Sequence, residues 1–126
     1  QGVPVQAGGI ELLLVEDSPD LRDALAEALR KGGYSVTVAE SAEEGLEKLR
    51  TSRFRLVVTD YELPIETGVW MLREGVAAGL LTDTAVLIIT GHTNPTETKG
   101  WKVLHKPLVF DDFLREVALA ATGERS

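Results

Sequence analysis

The sequence predicts an α/β domain built on a doubly wound, five-stranded parallel sheet whose fourth helix is short or missing. Three observations predict it. Five short apolar runs are rich in Val, Ile and Leu and nearly continuous, as expected of strands buried on both faces of a parallel sheet. Helical patterns separate the first four runs and follow the fifth. Between the fourth and fifth runs the chain is too short and too broken for a regular helix.

The strands are predicted at Ile10–Val15, Tyr34–Val38, Arg55–Thr59, Ala85–Thr90 and Lys102–Leu104. The first helix places Leu21, Ala24, Leu25, Ala28 and Leu29 at helical spacing, with Ser18 as N-cap and Pro19 at the first helical position. Lys31-Gly32-Gly33 stops it with a cation and a C′ glycine. Ser41 and Glu44 form a capping box for the second helix, which buries Leu46 and Leu49. The third helix runs from about Gly68 to Ala78 with Val69, Leu72 and Val76 on one face. The last carries Phe110, Phe113, Leu114, Val117, Ala118 and Ala121 on one stripe. Only Gly91 to Trp101 joins the fourth strand to the fifth, and Gly91, Asn94-Pro95 and Gly100 break any helix there. Extended residues reach about 3.3 Å each, so the span is still possible.

Bulk properties narrow the function classes. A chain of 126 residues with 44% hydrophobic residues fits one globular domain with its own core. It has no cysteine, which excludes disulfides and thiolate metal sites and fits a cytoplasmic location. Apolar runs such as Ala85 to Ile89 are far too short to span a bilayer, so no direct membrane insertion is expected. The net charge of −7 disfavours direct nucleic-acid binding. Residues 1–9 (QGVPVQAGG) read as a linker or cloning remnant without signal-peptide character, 10–121 as the domain, and 122–126 as a frayed tail.

Ligands of open α/β sheets bind beyond the carboxyl ends of the strands. There the sequence places Glu16 and Asp17 after strand one, Asp60 after strand three, Thr90 at the end of strand four and Lys106 after strand five. Each piece alone is ordinary. An acidic pair before a helix favours its dipole, an Asp before a Pro-containing loop serves a turn, and Thr and Lys are common surface residues. Their joint placement is what points to chemistry. Three clustered carboxylates repel unless a cation joins them, and an oxygen-only donor set suits Mg²⁺. Asp60 is then a candidate nucleophile, with Lys106 and Thr90 suited to phosphoryl oxygens. His92 and His105 lack a third ligand at sensible spacing and read as bystanders. Trp70 and Trp101 read as packing or surface anchors.

The segments LLLVEDSPDLRDAL, VVTDYELPIETGVWML, IITGH and VLHKPL resemble the receiver domain of two-component signalling, over roughly residues 10 to 121. The resemblance implies a flavodoxin-like strand order 2-1-3-4-5. It implies Asp60 as phospho-acceptor, with Thr90 as switch hydroxyl and Lys106 as the family's lysine. It further implies Mg²⁺ held by Glu16 (largely through water), Asp17, Asp60 and the main-chain carbonyl of Glu62. The chain departs from the family at four places. Val103 stands where an aromatic often sits, three before the lysine, and Leu63 replaces a common Met. Val109 stands where the last helix often has a polar cap, and the Gly91–Trp101 connection is short. That connection resembles receivers attached to hybrid sensor kinases more than those of DNA-binding regulators.

The expected function is phosphorelay signalling rather than turnover of a separate substrate. A sensor histidine kinase or histidine phosphotransfer protein is the implied donor, and Glu62 and His92 flank the expected path of attacking water. Two alternatives stand beside it: a pseudo-receiver that binds partners without phosphorylation, and a small haloacid-dehalogenase-type phosphatase. Against the latter, Glu62 occupies the position where that pattern has a second Asp. Oligomeric state is left open by the sequence.

Overall fold

The computed structural model describes residues 9–123, so the linker expected at 1–9, apart from Gly9, and the tail from 124 lie outside the described residues. Five strands, β1 (Glu11–Val15), β2 (Ser35–Ala39), β3 (Leu56–Asp60), β4 (Ala85–Thr90) and β5 (Lys102–His105), form one sheet. Every neighbouring pair is parallel and the order is β2-β1-β3-β4-β5, as the resemblance implied. The helices are α1 (Pro19–Lys31), α2 (Ala42–Thr51), α3 (Gly68–Ala77) and α4 (Phe110–Thr122). No helix forms between β4 and β5.

Strand alternation builds two apolar layers. Leu12, Leu14, Leu56, Val58, Leu87 and Ile89 face one way, toward Leu25 and Leu29 of α1 and Phe113 and Val117 of α4. Leu13, Val15, Val57 and Ile88 face the other, toward Leu46 and Leu49 of α2 and Met71 and Leu72 of α3. Helices thus cover both faces, which is why the central strands read as unbroken apolar runs.

The caps act as the residue types require. The Ser18 hydroxyl accepts from the Leu21 N–H, and Pro19 opens α1. Gly33 adopts φ of 99°, a left-handed conformation that ends the helix without a Cβ clash. The Ser41 hydroxyl accepts from Glu44 N–H at 3.0 Å, while the Glu44 carboxylate reaches back to Glu40 N–H at 2.9 Å, one residue before the expected partner. Val109 occupies the N-cap of α4 and supplies no side-chain cap.

Three predicted helix faces are rotated. In α1, Ala26 is buried and Ala24 is exposed. In α3, Met71 and Gly75 are buried, whereas Val76 is 56% exposed. Close approach of α2 to α3 sets this: a Cβ at Gly45 would run into the Met71 sulfur, so Met71 is the residue turned inward. In α4, Ala120 is buried, and Phe110 and Ala118 are exposed. The helix also continues through Thr122, whose hydroxyl donates to Ala118 O at 3.0 Å, before Gly123 closes it with φ of 73°. Among the described residues no helix is long and apolar enough to cross a membrane.

Candidate functional site

The carboxyl edge of the sheet brings together the residues that the sequence placed there. Asp60 is the last residue of β3 and pairs in register with Ile89 of β4, while Thr90 at the end of β4 pairs with His105 of β5. Glu16 directly follows β1, and its N–H donates to Ala39 O at 3.0 Å, so the β1–α1 turn starts from the sheet itself. Arg22 on the first turn of α1 donates to the Glu16 carbonyl at 3.2 Å and further fixes that turn. The sequence reading did not single out Arg22. A helical cation five residues after an acidic pair carries no distinctive signal.

Asp60 sits between opposite demands. Its Oδ2 accepts from Lys106 Nζ at 2.8 Å, and its Oδ1 accepts from the Glu62 N–H at 3.1 Å. Lys106 Nζ also lies 3.9 Å from Glu16 Oε1. Glu16 and Asp60 are only 1% and 2% exposed, so water does little to disperse their charge. Burial, with the neighbouring Glu16 carboxylate, pushes the Asp60 pKa up to about 8, against the opposing pull of Lys106. Burial pulls the Lys106 pKa down, but the carboxylates of Asp60, Glu16 and Glu62 outweigh it and leave the ammonium raised. These two shifts conflict in part, because a protonated Asp60 would hold the ammonium less strongly. Upward displacement of Asp60 is the physically firmer direction: one ammonium faces two almost fully buried carboxylates, so the site needs another positive charge.

That charge fits a metal ion. Glu16, Asp17 and Asp60 each offer a carboxylate oxygen within 4.8 Å of the others. Glu16 Oε2 accepts from Ser18 N–H at 3.0 Å, but Glu16 Oε1 is buried without any hydrogen-bond partner. An unsatisfied buried oxygen on one of three clustered carboxylates fits the donor set of a hard cation. Asp17 is exposed, which leaves the site open to water on one side.

Thr90 is fully buried, and its hydroxyl is bonded to groups other than the Asp60 carboxylate. It donates to Glu62 Oε2 at 2.6 Å and accepts from the His92 N–H at 2.9 Å. His92 Nε2 lies 3.3 Å from the same Glu62 oxygen. Burial raises the Glu62 pKa, but the hydrogen bonds with the Thr90 and Asp60 side chains and with the Glu62 and Gly91 main chain outweigh it, and the net shift is downward. His92 is therefore a neighbour of the site, while His105 is exposed. Trp70 and Trp101 pack partly buried against the α2–α3 layer, as packing residues.

The β3–α3 loop is held close by Gly68. A Cβ there would run into the Asp60 carbonyl oxygen and come within 2.9 Å of Thr59 Oγ1. Gly68 N–H in turn donates to Tyr61 O at 3.2 Å. A glycine at this position lets the start of α3 press against the strand end that carries Asp60. The Lys106–Pro107 peptide bond is cis.

A family model described as response regulator receiver domain matches residues 12–117. Response regulator receiver protein CpdR of Brucella abortus (strain 2308) is 33% identical over 112 residues, covering 84% of this chain and 92% of that protein. The receiver domain from hybrid histidine kinase CckA superposes with a TM-score of 0.78 at 27% identity, covering 88% of this chain and 98% of that one. The receiver domain of Ssk1 of Saccharomyces cerevisiae, solved with the histidine phosphotransfer signaling protein Ypd1, shares the fold with a TM-score of 0.83 at 16% identity. That superposition covers 95% of this chain and 94% of that one. The chain spans about half the length of transcriptional regulators that it also matches, with 51% coverage of DltR of Streptococcus agalactiae.

Proposed function

The chain belongs to the response regulator receiver family, and from that premise we propose that it accepts a phosphoryl group on Asp60 and so switches a partner-binding surface. The observation that carries the reading is the setting of Asp60: buried, bonded to Lys106 at 2.8 Å, and grouped with Glu16 and Asp17 in a cluster able to hold a cation. Family membership lends no support to the dehalogenase-type phosphatase reading. The functional unit is the receiver domain at 10–121.

The residues take distinct tasks. The Asp60 carboxylate attacks phosphorus. A P–O bond to Asp60 forms as the P–N bond to the donor histidine breaks, and the imidazole leaves with the electron pair. Lys106 neutralises a phosphoryl oxygen, since its ammonium already lies against the Asp60 carboxylate. Glu16, Asp17, Asp60 and the Glu62 main-chain carbonyl would hold Mg²⁺. When bound, the metal supplies charge neutralisation at the transferring phosphoryl group. Thr90 leaves Glu62 and donates to the phosphoryl group as it transfers, which converts a local charge change into a surface change.

The donor is a histidine kinase or a histidine phosphotransfer protein. The pairing of the Ssk1 receiver with Ypd1 and the hybrid-kinase origin of the CckA receiver support this class of partner. A hybrid sensor kinase is the proposed setting of this chain, and the cytoplasm its location.

The experiment is direct. The domain is incubated with acetyl phosphate and Mg²⁺, and its intact mass is read; one added phosphoryl group is expected, and none on Asp60→Asn. An unlabelled parent would favour the phosphorylation-independent pseudo-receiver, and equal labelling of the variant would place the acceptor elsewhere.

A further inference from the structure

We propose that Tyr61 couples the phosphorylation site to the 91–101 segment, through its hydrogen bonds to Thr96, in place of the aromatic that Val103 does not supply. The inference rests on the phosphorylation reading above and adds the route by which the site reports outward.

Tyr61 directly follows Asp60, and its main chain is fixed on two sides. Its N–H donates to Ile89 O at 2.7 Å in β4, and its carbonyl accepts from Gly68 N–H at 3.2 Å at the start of α3. The side chain bridges 35 residues of sequence. Thr96 N–H donates to the Tyr61 hydroxyl at 3.0 Å, and that hydroxyl lies 3.3 Å from Thr96 O and 3.1 Å from Thr96 Oγ1. The donor and acceptor roles of a phenol are thus both used on one residue of the segment.

The site reaches Tyr61 from a second direction. The His92 ring meets the Tyr61 ring edge-on at 5.5 Å between centroids, and the His92 N–H is bonded to the Thr90 hydroxyl. A Thr90 that swings to a phosphoryl group draws on His92, and His92 is packed on Tyr61. Next to Thr96, Glu97 holds a left-handed backbone at φ of 62° and pairs with Arg73 of α3. A non-glycine residue in that conformation relaxes when its ties are released. Arg73 and Glu97 are both more than half exposed, so their pair is a weak restraint on its own. Release of Tyr61 from Thr96 therefore frees the segment. With no helix at 91–101, this tie and the Thr90–His92 bond are what a switch at Asp60 has available on that side of the sheet.

The test compares parent and Tyr61→Phe, which keeps the ring and removes only the hydroxyl. Each is treated with acetyl phosphate and Mg²⁺, labelling is read by intact mass, and amide hydrogen exchange is followed by peptide across 91–101. Both proteins are expected to take one phosphoryl group. Exchange in 91–101 is expected to quicken on labelling of the parent, and this change should shrink at least twofold in the variant. A merely structural bond would quicken exchange in the unlabelled variant yet leave the labelling-dependent difference intact, which overturns the proposal. So does a labelled parent with unchanged exchange. Absence of label on the parent would fail the phosphorylation reading itself, a separate result visible in the mass alone, and the coupling would fall with it.

Discussion

The Thr90 hydroxyl donates a 2.6 Å hydrogen bond to Glu62 Oε2, although the residues lie 28 positions apart. The hydroxyl expected to meet a phosphoryl group is therefore engaged by a carboxylate two residues after the proposed acceptor. In the proposed switch Thr90 would have to break this bond. Hydrogen bonds to charged groups contribute about 1.5–3 kcal/mol when buried and less at a half-exposed carboxylate. Replacing Glu62 with Ala should accordingly raise the rate of labelling by acetyl phosphate by about two- to tenfold, in a time course of intact mass. An unchanged or slower rate would show that Glu62 is no brake.

Metal-free stability should depend on pH in an unusual direction. The folded Asp60 pKa is about 8 against an ordinary 3.8, so between these values the native state holds a proton that the unfolded chain has lost. Stability then falls as pH rises from about 4 to 8. Glu62 acts oppositely: its lowered pKa contributes stability above 4.5 that is lost as pH falls further. Lys106, raised above 10.5, changes nothing in this window. Thermal unfolding in chelator should thus give a lower Tm at pH 8 than at pH 5.5. An equal or higher Tm at pH 8 contradicts the crowding of Glu16 and Asp60.

Magnesium should reverse that trend. Binding at the proposed site would need a deprotonated Asp60 and would give Glu16 Oε1 a partner. Saturation at a hundredfold excess over Kd stabilises by about 2.7 kcal/mol, which is roughly 8–13 °C in Tm for a domain of this size. The increment should be larger at pH 8 than at pH 6 and vanish with EDTA. Glu16→Gln should weaken it. A Tm shift independent of both Glu16 and pH would assign the ion to another place.

Gly68→Ala tests the backbone approach behind the acceptor. The added Cβ meets the Asp60 carbonyl, so either α3 moves or the strand end does. Overpacking of this kind costs about 1–3 kcal/mol. Denaturant unfolding should show that loss, and labelling at Asp60 should slow. Wild-type stability in the variant would mean that the loop has slack which the close approach of Gly68 denies.

Much of this was legible in the sequence because it is carried by short-range signals. Buried parallel strands need unbroken Val, Ile and Leu runs, Ser18-Pro19 and Ser41 need only their next turn, and the glycines and Asn94-Pro95 of 91–101 exclude a helix locally. Strand order then carries Glu16, Asp17, Asp60, Thr90 and Lys106 to one edge. Helix rotation was less legible. Ala24 and Ala26 offer almost the same apolar signal, and only the approach of Gly45 to Met71 decides that Val76 faces outward.

What the sequence determined by itself is which groups share the carboxyl edge of the sheet, since each follows directly from the end of a strand. What only the tertiary structure decided is how those groups are bonded: Thr90 to Glu62, Tyr61 to Thr96, and Lys106 to Asp60 with Glu16 Oε1 left over. The physical reason is range. These partners stand 28 to 46 residues apart, so nothing in their local spacing records the contact. Strand register and burial alone set the distances and the dielectric that raise Asp60.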